Sequence, residues 1–188
     1  MEYRSPTGGR QRSRWFAPIS RSALFLAALI LLGGCEQLRF DRPDLSLPDP
    51  EVVAEYFDGF EGVTDIEFSG NVVVLTVDQP RAQLQRGGSL WAKVGPYIYL
   101  LAPGTRDLLE AYTGIAAVRV ITQTGQGEEV ARAMLLRDSM TEFQWRRSIS
   151  LLGAVLNEGT ADPTHLTKLV SWGEQYTEYS YNPDYVPQ

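Results

Sequence analysis

Apolar positions along the chain alternate between the two periodicities that mark helices and strands. Asp49-Pro50-Glu51 opens a first helix, with Asp at the N-cap, Pro at the first helical position and an acid in the first turn. Val52, Val53, Tyr56, Phe57 and Phe60 follow at spacings of three and four, giving one apolar face that Gly62 ends. Residues 64–69 alternate polar and apolar, Gly70-Asn71 makes a turn, and residues 72–77 form a β-branched run. This is a hairpin signal, and the second strand is apolar enough to be buried on both faces. Between Arg81 and Gly114 the pattern is helical, carried by Leu84, Leu90, Val94, Ile98, Leu100, Leu101, Leu108 and Leu109. Gly87-Gly88, Pro96 and Pro103-Gly104 interrupt it, so two or three short helices are expected, with Pro96 restarting one and Thr105 capping another.

Residues 116–122 return to strand composition, and Thr124-Gly125-Gln126-Gly127 reads as a turn. Residues 128–138 are ambiguous. They hold good helix formers, yet Val130, Arg132, Met134 and Leu136 also alternate as in a strand. The stretch Ser139-Met140-Thr141-Glu142 matches a capping box that would start a helix near Met140, which favours a second hairpin before it. A helix over residues 140–157 is expected to end at Gly159, and Asp162-Pro163 opens a last one carrying Leu166, Leu169, Val170 and Tyr176. The predicted fold is α+β. A small, mostly antiparallel sheet of about four strands in two hairpins carries helices on one face, and a helical crossover joins strands two and three. One domain would span residues 49–178, with residues 179–188 left as an aromatic, proline-punctuated tail.

The N-terminus follows another logic. Arg10, Arg12, Arg14 and Arg21 precede ten apolar residues, 23–32, which run into Gly33-Gly34 and then Cys35, the only cysteine in the chain. A basic segment, a short apolar run and small residues before a cut make a secretory signal peptide over residues 1–34. A transmembrane helix is the competing reading, but spanning a bilayer takes about 20 apolar residues. Leu32-Gly33-Gly34-Cys35 resembles the lipobox of bacterial lipoproteins. That resemblance implies cleavage before Cys35, diacylglycerol on its sulfur and acylation of the new amino terminus. In enterobacterial lipoproteins Asp after the cysteine goes with retention in the inner membrane. Glu36 stands there instead, so the resemblance leans toward the outer membrane. Residues 35–48, with Pro43 and Pro48 among scattered charges, read as a tether.

Cleavage before Cys35 would remove 34 of the 188 residues, with five of the 17 basic and one of the 23 acidic ones. The remaining chain carries 12 basic and 22 acidic residues, a formal charge of −10. That balance argues against nucleic-acid binding and disfavours docking of the folded domain onto anionic lipid head groups. With no cysteine after Cys35, the domain has no disulfide and depends on packing.

Catalytic and metal-binding patterns are scarce. There is no Gly-x-Ser-x-Gly elbow and no P-loop, and Gly125-Gln126-Gly127 lacks the rest of a dinucleotide fingerprint. The one histidine, His165, reads as an exposed helix-start residue, and a single histidine without free cysteines does not make a zinc site. No cofactor or metal is expected. Asp65 and Glu67, or Glu128 and Glu129, are the carboxylate pairs that a hydrolase of peptidoglycan or glycans would need. The aromatic residues carry more weight. Trp91, Tyr97 and Tyr99 in the helical region, with Trp172, Tyr179, Tyr181 and Tyr185 near the C-terminus, are candidates for contacting a partner. The expectation is a lipid-anchored, non-catalytic binding or scaffolding module facing the periplasm, with an envelope protein as partner. A carboxylate hydrolase and a carrier of a small apolar ligand are the alternatives.

Overall fold

The computed structural model describes residues 44–158 and 163–187. Cys35 and the Leu32-Gly33-Gly34 motif lie outside them, as do Gly159 and Asp162. The elements run α1 (Pro50–Glu55), β1 (Val63–Ser69), β2 (Val72–Asp78), α2 (Arg81–Leu100), α3 (Pro103–Ala111), β3 (Ala117–Gln123), β4 (Glu129–Leu136), α4 (Glu142–Glu158), α5 (Pro163–Tyr176) and β5 (Glu178–Tyr181). A short 3₁₀ turn, Arg137–Ser139, separates β4 from α4.

The domain is α+β, as expected, but the sheet has five strands in the order β1-β2-β3-β4-β5 rather than about four. It is mixed. The β1–β2, β3–β4 and β4–β5 pairs are antiparallel, whereas β2 and β3 run parallel. The parallel pair follows from the helical crossover, since α2 and α3 carry the chain back to the end of the sheet where β2 began. The first hairpin turns on Gly70-Asn71, with Ser69 paired to Val72. Residues 129–136 form a strand, which resolves the ambiguous stretch in favour of a second hairpin.

The fifth strand corrects the reading of the C-terminus as a tail. Glu178–Tyr181 pairs with β4, and Asn182 continues the contact by donating its backbone N–H to Val130 O at 3.0 Å. Beyond it, Tyr185 and Val186 pack on the small buried cluster of Leu84, Ala92 and Val130. At the other end, the last part of the presumed tether lies against the domain. Pro48 is buried, and Thr113 Oγ1 donates to Asp44 O at 2.7 Å.

Side-chain alternation assigns the two faces of the sheet. Val73, Leu75 and Val77 on β2, Val118 and Val120 on β3, and Ala133 and Leu135 on β4 share one core with Val94, Tyr97, Leu100, Leu108, Leu152 and Leu169 from the helices. The intervening residues stand on the opposite face, outside that core. Among the described residues, the helices therefore pack on one face of the sheet.

Several helix ends differ from the sequence-based expectation. The chain stays helical through Pro96, and the break falls at Gly88, where φ +59° and ψ −153° belong to a region open chiefly to glycine. Asp49 sits at the N-cap of α1, but its side chain makes no capping bond. Thr105 caps nothing. Helix α3 starts earlier, at Pro103, and the Thr105 hydroxyl is buried and donates to Tyr99 O at 2.7 Å, tying α3 to α2. The capping box at α4 is Thr141 with Gln144, two residues on from Ser139-Glu142: Thr141 N donates to Gln144 Oε1 at 2.6 Å and Gln144 N to Thr141 Oγ1 at 3.4 Å.

Two packing points hold the layers together. Arg137 spreads its guanidinium across the end of α3, donating from Nε to Ile115 O at 2.7 Å and from its terminal nitrogens to the carbonyls of Leu109, Tyr112 and Ile115. These carbonyls close a helix end that has too few donors of its own. Elsewhere α5 meets α2 at Gly173, where a β-carbon would lie 2.3 Å from the Tyr97 ring.

Two substitutions test these points by urea denaturation. Arg137→Met should cost about 1–3 kcal/mol for each carbonyl left buried without a donor. Gly173→Ala should cost about 1–3 kcal/mol by forcing Tyr97 and α5 apart.

Candidate functional site

The face of the sheet opposite the helices lies outside the shared core. Its register sets side chains in rows. Glu67, Val74, Arg119, Met134 and Glu178 lie side by side across all five strands, and Asp65, Thr76, Ile121, Arg132 and Ser180 form the next row. Val74 is only 3% exposed although it stands on this face. Arg119 Nη2 donates to Met134 Sδ at 3.4 Å, and Arg132 is clamped by Glu129 at 2.6 and 2.7 Å. Among the described residues Asp65 and Glu67 have no ion-pair partner, and neither has Arg119. The face thus presents half-buried Ile121 and Met134, with the acids of β1 and the Arg119 guanidinium on either side of the buried Val74.

Sequence reasoning missed this face. The signal is present in β4, where Arg132 and Met134 alternate with buried alanines. Which strands bring their own alternate residues beside them depends on register, which no local pattern states.

The aromatic candidates do not gather into one patch. Tyr97 and Tyr99 are core residues, 0% and 6% exposed, so neither offers surface to a partner. Tyr99 OH donates to Glu61 O at 2.5 Å, and its ring packs 5.6 Å from Phe60. A helix apolar nearly all round is a buried one. The run from Val94 to Ala102 already carries that signal. Trp91 is half-buried and lines a cleft of about 600 Å³ with Gln83, Arg86, Gly87, Leu90 and Leu166. Trp172 donates from Nε1 to Ser148 Oγ at 2.7 Å and stacks at 4.8 Å on Tyr176, which anchors α5 to α4. Tyr185 OH donates to Glu128 Oε2 at 2.6 Å, with Arg81 3.6 Å from the same carboxylate. Tyr179 is 47% exposed and sits 5.1 Å from the Tyr181 ring.

Tyr181 belongs to a proton-ordered chain. Its hydroxyl donates to Glu174 Oε1 at 3.0 Å, which leaves it to accept from Tyr97 OH at 2.8 Å. Lys93 Nζ stands 3.6 Å from the same carboxylate and 5.1 Å above the Tyr181 ring. The cluster joins α2, α5 and β5, and all its donors and acceptors serve that junction. Its geometry explains why the C-terminal strand stays on the sheet.

The carboxylate pairs are separated in role. Asp65 and Glu67 stand exposed on the open sheet face, while Glu128 and Glu129 are engaged by Arg81, Tyr185 and Arg132. His165 is half-buried rather than exposed, with Nδ1 2.6 Å from Glu158 Oε2. Among the described residues no three His, Cys, Asp or Glu side chains are placed to hold a metal ion. Also among them, no helix is long and apolar enough to cross a membrane.

Burial pushes both core phenols up, Tyr97 and Tyr99 each from 10.0 to about 12. An unfolded chain loses these protons near pH 10, before the folded one does. Stability is therefore complete below pH ~10 and falls as pH rises from there through about 12. Urea midpoints measured across that window should drop. Tyr97→Phe should shallow the drop, while costing about 1 kcal/mol at neutral pH for the lost hydrogen bond.

Comparison with protein-family models finds no match for this chain, nor does comparison with curated proteins or with solved structures.

Proposed function

We propose that this chain is a lipid-anchored bacterial envelope protein whose domain faces the periplasm and binds or scaffolds another envelope component. One observation carries the reading: the sole cysteine ends Leu32-Gly33-Gly34-Cys35, directly after a basic segment and a ten-residue apolar run. Such a run is too short to span a bilayer, so the lipid on Cys35 is the anchor. Two or more acyl chains on one residue make attachment stable where a single chain does not.

The open sheet face supports the binding part of the reading. Half-buried Ile121 and Met134, together with the acids of β1 and Arg119, give that face a charge pattern and some apolar area suited to recognising a protein. The strands beneath it are held rigidly by the core, so recognition there needs no rearrangement of the fold.

Replacing Cys35 with Ser tests the anchor. The variant should stop incorporating labelled fatty acid, keep its first 34 residues and lose the membrane association of the mature form. A Cys35→Ser chain that is still cleaved at the same bond and still carries acyl label would overturn the proposal.

A further inference from the structure

The end of the sheet that the tether reaches is built differently from the rest of the surface. A cleft of about 790 Å³ opens there, lined by Leu45, Leu47, Ile115, Ala116, Leu136 and the aliphatic part of the Arg137 junction. Leu45 is 65% exposed, Leu47 38% and Leu136 47%. These three account for half of the large apolar side chains left open to solvent among the described residues. Two of them lie on the segment that continues the tether, which Thr113 holds in place through Asp44 O. Arg137, the cation nearest the cleft, is turned inward onto main-chain carbonyls. Asp44 and Asp138 flank the leucines and are exposed.

We propose that this leucine-rimmed cleft is where the anchored domain rests on the bilayer, with Leu45, Leu47 and Leu136 entering the boundary between head groups and acyl chains. The inference rests on the lipid anchor at Cys35. Chain length selects the occupant. Asp44 is nine residues from Cys35, and nine residues reach at most about 30 Å when fully extended. The cleft is thus held close to whatever surface the lipid enters, and that surface meets it at high effective concentration. Apolar side chains beside a short lipidated tether suit insertion at the interface, which buries such groups about 5–10 Å deep. Asp44 and Asp138 set the depth, because their carboxylates stay among the head groups while the leucines pass below. The acidic charge of the domain opposes contact with anionic head groups, but the acyl chains supply the affinity and the leucines have only to choose the orientation. The turn at residues 124–127, at the opposite end of β3 and β4, would then point away from the membrane.

Site-directed fluorescence tests this in lipidated protein, where Cys35 is alkylated and an introduced cysteine is the only free thiol. Leu136→Cys, Leu45→Cys and, at the far turn, Gln126→Cys are each labelled with a polarity-sensitive fluorophore. Each is then reconstituted into phosphatidylethanolamine–phosphatidylglycerol vesicles containing nitroxide-labelled lipid. The labels at 136 and 45 should shift to the blue and lose about half their intensity to the nitroxides, as interfacial insertion requires, while the label at 126 stays unquenched. The Leu45 site lies outside the regular elements and reports even if a change at Leu136 disturbs β4. Protein that floats with the vesicles but shows no quenching at 136 or 45, or equal quenching at all three sites, overturns the docking and leaves the anchor standing. Shielding of position 136 only after envelope proteins are added would assign the cleft to a protein and also overturn it. Protein that carries no acyl label and does not float removes the anchor, and this inference with it.

Discussion

The guanidinium of Arg137 sits where the main chain has the least means to satisfy itself. Helix α3 ends, the chain crosses residues 112–116, and β3 must begin at the centre of a sheet whose neighbours are already paired. Tyr112 O takes the backbone N–H of Ile115 at 3.1 Å, but Leu109 O and Ile115 O depend on the guanidinium, and leaving such carbonyls bare is costly. One planar cation from the far end of β4 meets three of them at once. The parallel pairing of β2 with β3 depends on this junction, because the crossover must release the chain beside the point where β2 starts. A lysine there would present a single point of charge and could not span the same set.

A second closure works from the opposite edge. The cluster of Tyr97, Tyr181, Glu174 and Lys93 fastens a four-residue strand that local pairing alone would hold poorly. Its donors run in one direction toward a carboxylate that a lysine neutralises, so no member is left uncompensated in the partly dry junction between helices and sheet. The aromatic residues of the C-terminus thus act within the domain. On the opposite face, Glu67 and Arg119, neither with an ion-pair partner among the described residues, lie on either side of the buried Val74.

Much of this architecture was legible in the sequence, for reasons that can be named. Gly70-Asn71 between two apolar runs has only one common outcome, and the first hairpin follows it. The second hairpin was reached by placing the start of α4, although the cap that forms is Thr141 with Gln144 and not the Ser139 box. The fifth strand was not legible. Glu178–Tyr181 is short and polar, and its position comes from hydroxyls contributed by α2, about eighty residues away in the chain. Tyr97 and Tyr99 were misjudged as surface contacts because a phenol's polar tip hides how readily its ring is buried once a partner is supplied. Pro96 was expected to break a helix that the surrounding core in fact holds continuous. The Leu45–Leu136 cleft and the Glu67–Arg119 row join residues far apart in the chain, and only register brings them together.

Strand β1 closes one side of the sheet with seven residues whose outer main-chain groups no other strand among the described residues takes up. Such an edge is a template on which a second chain can add its own strand. Molecules confined to the plane of a membrane meet far more often than the same molecules in solution, so an open edge is a greater hazard there. Here the hazard is blunted locally. A bulge between Val63 and Asp65 bends the strand out of register with any straight neighbour. Asp65 and Glu67 would face their own counterparts if two copies tried to join edge to edge, and like charges set opposite each other repel. Asp65 and Glu67 thus oppose edge-to-edge pairing of two β1 strands.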